Sequence, residues 1–235
     1  MGEAQAQSIW LRPERSGRGP APGFDRDRLA AAGVALADRD GLAAVTMRAV
    51  AQALGAGPAS LYRYVATREE LLELMIDQAV GEIRCPAPGG GGRPDDLLAL
   101  ARQKRELYLR HPWLLDATAT RSPLGPHALA QLEYALAALA GLPVSARTKL
   151  EALAMLDAVV AALSRTEVTQ RRAGRTLPQW QQAQQEYLAR ALGSGRHPHL
   201  AAALDGGTGA ARESAELLFD RLVTRVLAGL LREQP

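Results

Sequence analysis

Arg48, Arg63 and Arg68 lie in a window from Gly41 to Arg68 that contains no acidic residue. Guanidinium groups without an intervening carboxylate suit an anionic partner, and an arginine on a short helix can give two parallel hydrogen bonds to a guanine edge. Small and hydroxyl-bearing residues surround them: Thr46, Pro58, Ala59, Ser60, Tyr62, Tyr64 and Thr67. Ala59 and Ser60 are compact enough to open a helix against base edges, and Arg63 lies one turn further on, where it can read a base; Arg48, on the preceding helix, is the second candidate. Tyr62 and Tyr64 offer phenolic donors at the groove walls, although either one can equally be a packing residue. Thr46, Thr67 and Arg68 can hold phosphates through hydroxyl, backbone N–H and charge.

The elements that must position these side chains follow from capping and periodicity. Asp25 caps a helix with Leu29, Ala32, Val34, Leu36 and Ala37 inward, which ends at Asp40-Gly41. Thr46 caps a second helix carrying Val50, Ala53 and Leu54, which stops at Gly55; Pro58 then occupies a first helical position and opens a brief helix through Tyr64. Two short helices across a glycine turn form a helix-turn-helix signal. Thr67 and Glu70 have capping-box spacing and start a longer helix with Leu71, Leu72, Met75, Ile76, Val80 and Ile83 at helical period. The run Pro86-Ala87-Pro88-Gly89-Gly90-Gly91-Gly92 breaks the pattern, so a second domain begins beyond it.

From Val45 to Val65 the chain resembles the DNA-reading segment of the tetracycline-repressor (TetR) family of bacterial regulators. The likeness rests on Thr46-x-Arg48, the alanine facing the turn, Leu54-Gly55, the pattern Ser60-Leu61-Tyr62-x-Tyr64 and the capped helix that follows, and it spans about residues 25–83. The segment with Ser122-Pro-Leu-Gly-Pro126, Trp180 and the last helix is similar, less specifically, to the family's regulatory domain. The resemblance implies an all-α protein: an N-terminal three-helix DNA-binding domain at residues 25–85, then a helical ligand-binding and dimerisation domain at 95–235. It implies a double-stranded DNA operator, palindromic and bound by a homodimer, and a small-molecule effector. Gly57-Pro58-Ala59 replaces the longer polar side chains often found at the helix tip, so no operator sequence carries over. Residues 1–24, with Arg12, Arg15 and Arg18 among prolines and glycines, read as a disordered basic arm that either follows the DNA or solubilises the chain.

In the second half, the pattern gives helices from about Asp95 to Arg110, around Trp113 to Ala119, and from Pro126 to Ala140. A long helix runs from Ser145 to about Arg172, another from Pro178 to Leu192, then a glycine-rich loop through Gly209 and a final helix from Arg212 to Arg232. The long helix carries Leu150, Leu153, Leu156, Val160 and Leu163 on one face and Met155, Val159 and Ala162 on its neighbour. The last helix is equally apolar, so both must be covered on more than one side. They are the expected dimer helices, with Leu153, Asp157, Val160, Leu218, Leu222 and Val226 at the interface. Asp157 is the odd polar residue there, and it requires Arg221, Arg225 or a ligand cation as partner. His111, Trp113, Arg121, His127, Tyr134 and Trp180 are the expected lining of a ligand pocket.

Composition sets the outer limits. Of 235 residues, 45 are Ala and 37 Leu, against 14 Val plus Ile, which excludes an all-β fold. The net charge of +3 is compatible with nucleic acid but does not argue for it. Cys85 is the only cysteine and reads as inert, and His197 and His199 lack a third ligand, so neither a metal nor a cofactor is expected. No phosphate loop or nucleophile motif is present, so an enzyme is not expected. With no apolar run of membrane-spanning length and no signal core, the expected location is the cytoplasm. The reading that results is a ligand-responsive repressor; the alternatives are a ligand-independent regulator or activator, or a helical protein-interaction module.

Overall fold

The computed structural model describes residues 8–13, 25–85, 94–119, 123–173, 177–205 and 214–231, and these hold eleven α-helices and no strand. The helices are α1 (Arg26–Asp40), α2 (Met47–Ala53), α3 (Pro58–Leu61), α4 (Arg68–Val80), α5 (Pro94–Arg110), α6 (Leu114–Ala117), α7 (Pro126–Ala138), α8 (Ala146–Ala173), α9 (Leu177–Gly193), α10 (Pro198–Asp205) and α11 (Ala215–Leu230). Among the described residues no helix is long and apolar enough to cross a membrane.

The N-terminal caps form where the residue types demand them. Asp25 accepts from the Arg28 amide, Thr46 from Ala49, Thr67 from Glu70 and Ser214 from Leu217. Gly41, at φ 83°, ends α1, and Gly55, at φ 65°, makes the turn between α2 and α3, both in the left-handed region that favours glycine. Helix α3 is shorter than its pattern suggests. Its α-helical part stops at Leu61, and residues 62–64 continue as a tight turn in which the Tyr64 amide donates to Leu61 O at 2.9 Å.

One hydrophobic core runs through the chain, from Ile9 and Leu29 through Leu71, Met75 and Leu100 to Val160, Val223 and Leu227. Helix α4 packs along α1 on one side and against α6 and α7 on the other, while α5 lies between α7, α8 and α11. Two segments differ from the sequence expectation. Within the arm expected to be disordered, Ile9–Leu11 form a 3-10 turn; Ile9 is fully buried, Arg12 pairs with Glu70, and Arg26 donates to the carbonyls of Ile9 and Arg12. An apolar anchor outweighs the local proline and glycine content there; the rest of residues 1–24 before Asp25 lies outside the described residues. Helix α10 replaces part of the expected glycine-rich loop, because Pro198 starts a run of Leu200, three alanines and Leu204.

Candidate nucleic-acid interface and interior cavity

Thr46, Arg48, Pro58, Ala59, Tyr62 and Arg63 are all solvent-exposed on α2, α3 and the turn after it. Neither Arg48 nor Arg63 has an acidic partner among the described residues, so both guanidinium groups are available to an anion. Ser60 is half-buried, its hydroxyl donating to Gly57 O at 2.6 Å. The tyrosines divide: Tyr62 is 54% exposed, whereas Tyr64 packs against the core. Thr67 stays exposed, with its hydroxyl turned to the α4 cap.

Arg68 departs from the phosphate-binding expectation. Its Nε donates to Val45 O at 2.7 Å and its Nη2 to Leu42 O at 3.0 Å. The guanidinium therefore ties the start of α4 to the turn ahead of α2, supplying a donor to the Val45 carbonyl and a second one to Leu42 O, which also accepts the Val45 amide. Sequence spacing could not reveal this, since the partners lie 23 and 26 residues away.

A cavity of about 490 Å³ lies inside the second half, walled by Val80 and Ile83 at the end of α4, by α5, by α6, by α7 and by α8. The wall is mostly leucine and alanine, with Leu124, Leu129 and Leu132 partly open to solvent at its α7 side. Its polar groups are few: Lys104, Tyr108, Thr118, Gln131, Asp157 and Arg165. Lys104 and Asp157 form an ion pair at 2.5 Å, and Arg165 is held by Asp116 at 2.8 Å and by the Leu115 carbonyl. The Tyr108 phenol is pushed above its usual pKa by burial and, secondarily, by the Asp157 charge. Gln131 Nε2 is buried without a hydrogen-bond partner. Such a volume, apolar with a handful of placed polar groups, matches a small-molecule site.

Four of the six residues expected in the pocket, His111, Trp113, His127 and Tyr134, lie elsewhere. His111 and Trp113 sit at the junction of the two halves: His111 Nδ1 is 2.7 Å from Asp38 and Nε2 3.1 Å from Glu82, and Trp113 Nε1 donates to the same Asp38 oxygen at 2.8 Å. His127 meets Asp77 of α4, and Tyr134 packs against the core beside the cavity without lining it. Arg121 and the Trp180 side chain lie outside the described residues. Of the expected dimer residues, Leu153 and Val160 face the protomer's own core, while Leu218 is 40% exposed and Leu222 and Val226 are half-buried. Asp157 is 53% exposed and turns to Lys104 across the cavity, so its partner is neither Arg221 nor Arg225. Its oddness on an apolar stripe was a usable signal; the helix it faced was not. Lys104 and Tyr108, one turn apart on α5, carry the same signal, since each interrupts the stripe of Leu97, Leu100, Ala101 and Leu107. Among the described residues no group of three or more metal-ligating side chains occurs. The Cys85 thiol is pushed up by burial, partly offset by Lys104, which fits an inert cysteine.

Comparison with known proteins agrees with this geometry. The model described as bacterial regulatory proteins, tetR family, matches residues 29–75, and the one described as tetracyclin repressor-like, C-terminal domain, matches residues 85–233. The HTH-type transcriptional repressor DrrR1 of Streptomyces coeruleorubidus is 38% identical over 198 residues, covering 82% of this chain and 73% of that protein. An HTH-type transcriptional regulator of Saccharopolyspora erythraea is 38% identical over 138 residues, covering 59% of this chain and 58% of that one. Apo ActR from Streptomyces coelicolor has the same fold at TM-score 0.75 and 28% identity, over 91% of this chain and 97% of that one. ActR in complex with actinorhodin gives TM-score 0.75 and 27% identity, over 88% and 97%. With a helix-turn-helix exposed at one end, a walled cavity at the other and both family models matched in order, this chain belongs to the tetR family of bacterial DNA-binding transcriptional regulators.

Proposed function

We propose that the protein is a ligand-responsive repressor that binds a palindromic operator as a homodimer and releases it when a small molecule fills the cavity. The observation that carries this reading is that α4 serves both ends: Thr67 and Arg68 begin it beside α3, while Val80 at its end and Ile83 in the turn just beyond it line the cavity wall. A ligand that prefers one setting of α4 alters operator affinity through that helix. The leucine-rich wall with the Lys104–Asp157 pair and Gln131 favours a largely apolar molecule bearing a few oxygen acceptors, and the relative ActR was solved with actinorhodin bound. Dimerisation fits the outward faces of α8 and α11, where Met155, Ala162, Leu217 and Leu218 are exposed on the protomer.

Selection of bound fragments from random DNA by the purified protein, followed by affinity measurements across salt concentration, tests the operator. A recovered inverted repeat with half-sites about one helical turn or a multiple apart is the expected result. A panel of apolar, oxygen-bearing compounds then tests release; loss of operator binding with none of them, and no binding by calorimetry, leaves a ligand-independent regulator.

A further inference from the structure

Helix α7 has no cap of its own. Its N-cap is Gly125, which brings no side chain to the free amides of the first turn. The missing acceptor comes from α4: Asp77, 3% exposed, takes the amide of Ala128 on Oδ1 at 3.0 Å and the amide of His127 on the same oxygen at 3.1 Å, and its Oδ2 lies 2.9 Å from His127 Nδ1. A buried carboxylate at a helix N-terminus is stabilised by those amides and by the helix dipole. The fit is shaped by two glycines. A Cβ on Gly125 would stand 2.2 Å from the Asp77 carboxyl, and one on Gly81, a turn after Asp77, would stand 3.0 Å from the His127 ring. Gly125-Pro126-His127 thus enters a notch on α4 made by Asp77 and Gly81.

The two helices joined by this notch have different duties. Helix α7 gives Ala128, Leu129, Gln131, Leu132 and Ala135 to the cavity wall, starting at the residue whose amide Asp77 holds. Helix α4 leads back to the recognition segment. We propose that this latch transmits the state of the cavity to the DNA-binding half, with Asp77 as the positioning residue that makes α4 follow α7. The inference rests on the cavity being the effector site, and it names the contact through which that site acts. The carboxylate is coupled to two amides and a ring at once, so α7 cannot shift at its N-terminus without either carrying Asp77 along or breaking a buried set of charge-assisted hydrogen bonds.

The test needs neither the natural effector nor an operator. Ala161→Trp places an indole in the cavity from α8 and serves as a fixed occupant. Amide hydrogen exchange is followed in the full chain for four proteins: unchanged, Ala161→Trp, Asp77→Ala, and the double variant. The indole is expected to change exchange at least threefold in the first turn of α7 and in α4. In the Asp77→Ala background the change should remain in α7 and vanish from α4, with amides of α8 and α11 equal in both backgrounds. An α4 response that survives without the carboxylate overturns the proposal, as does an indole that perturbs α7 and never reaches α4. If circular dichroism shows that Asp77→Ala does not fold, Asp77→Asn, which keeps an acceptor oxygen and the size, and His127→Ala, which removes only the exposed side of the latch, replace it. Each is then expected to weaken the α4 response, and an undiminished response in both overturns the latch. Duplex binding measured on the unchanged protein reports separately on the regulator reading, because its absence sinks that reading while the exchange data still judge the latch.

Discussion

Replacing Arg68 with alanine separates a structural arginine from a DNA-reading one. Its two donated hydrogen bonds, to Val45 O at 2.7 Å and Leu42 O at 3.0 Å, are made by a charged group, for which removal costs about 1.5–3 kcal/mol each. Both carbonyls border a half-buried side chain and regain water in the variant, so roughly half of the summed loss survives, about 1.5–3 kcal/mol. For a chain of this size that lowers Tm by roughly 3–12 °C. Thermal unfolding of Arg68→Ala beside Arg48→Ala and Arg63→Ala reads the difference, since the latter two are exposed and should stay within about 0.5 kcal/mol of the parent. Operator affinity across salt gives the second axis: a phosphate contact contributes about one to the slope of log K against log salt. Arg68→Lys, with one compact donor head, should recover only part of the lost stability. An Arg68→Ala protein that melts with the parent and merely lowers the salt slope by about one would refute the reasoning and return Arg68 to the phosphate role its spacing suggested.

Arg63→Ala should weaken operator binding by about 1–3 kcal/mol and relax preference at one base pair per half-site, read by fluorescence anisotropy on the selected duplex and its single-base variants; equal affinity for all of them counts against base reading by Arg63. Tyr108 gives a pH dependence of definite sign. Because its folded-state pKa is raised, its contribution is complete below the phenol's usual value of about 10 and is lost as pH rises through the folded value, so the denaturation midpoint should fall more steeply in alkali for the parent than for Tyr108→Phe. Identical alkaline profiles would mean that the phenol is not held neutral by burial. Glutamates at Met155 and Leu218 together should produce monomers in sedimentation at low micromolar concentration with the helical content kept; a persistent dimer places the interface on another face.

The local parts of this fold were legible in the residues. Asp25, Thr46 and Thr67 cap the helices they were expected to cap, Gly41 and Gly55 turn where positive φ is needed, and α8 begins one residue after Ser145. These features depend on neighbours within four residues, so the chain's own order specifies them. The exposure of Arg48, Tyr62 and Arg63 was legible for a related reason: charged and phenolic side chains in a window free of acid have no local partner to draw them inward. What residues alone could not assign was which face of a helix meets which neighbour. Tyr134 and Asp157 keep the polarity that drew attention to them, yet Tyr134 packs beside the cavity and Asp157 turns to Lys104 instead of to α11.

His111, Trp113 and His127 illustrate the same limit at the junction of the two halves. Their types suggested a binding pocket, and the fold uses them to fasten α5, α6 and α7 to Asp38, Asp77 and Glu82, residues 29 to 75 positions distant. The sequence by itself determined an all-helical chain, its caps and turns, and the basic face of the helix-turn-helix, because each arises from local backbone preference or from unpaired surface charge. Tertiary structure alone decided the walls of the cavity, the inward turn of Arg68 and the seating of α7 in the Asp77–Gly81 notch. Those outcomes depend on helix crossings set by packing across the whole core, and a buried polar group takes whatever partner that packing brings within hydrogen-bonding reach.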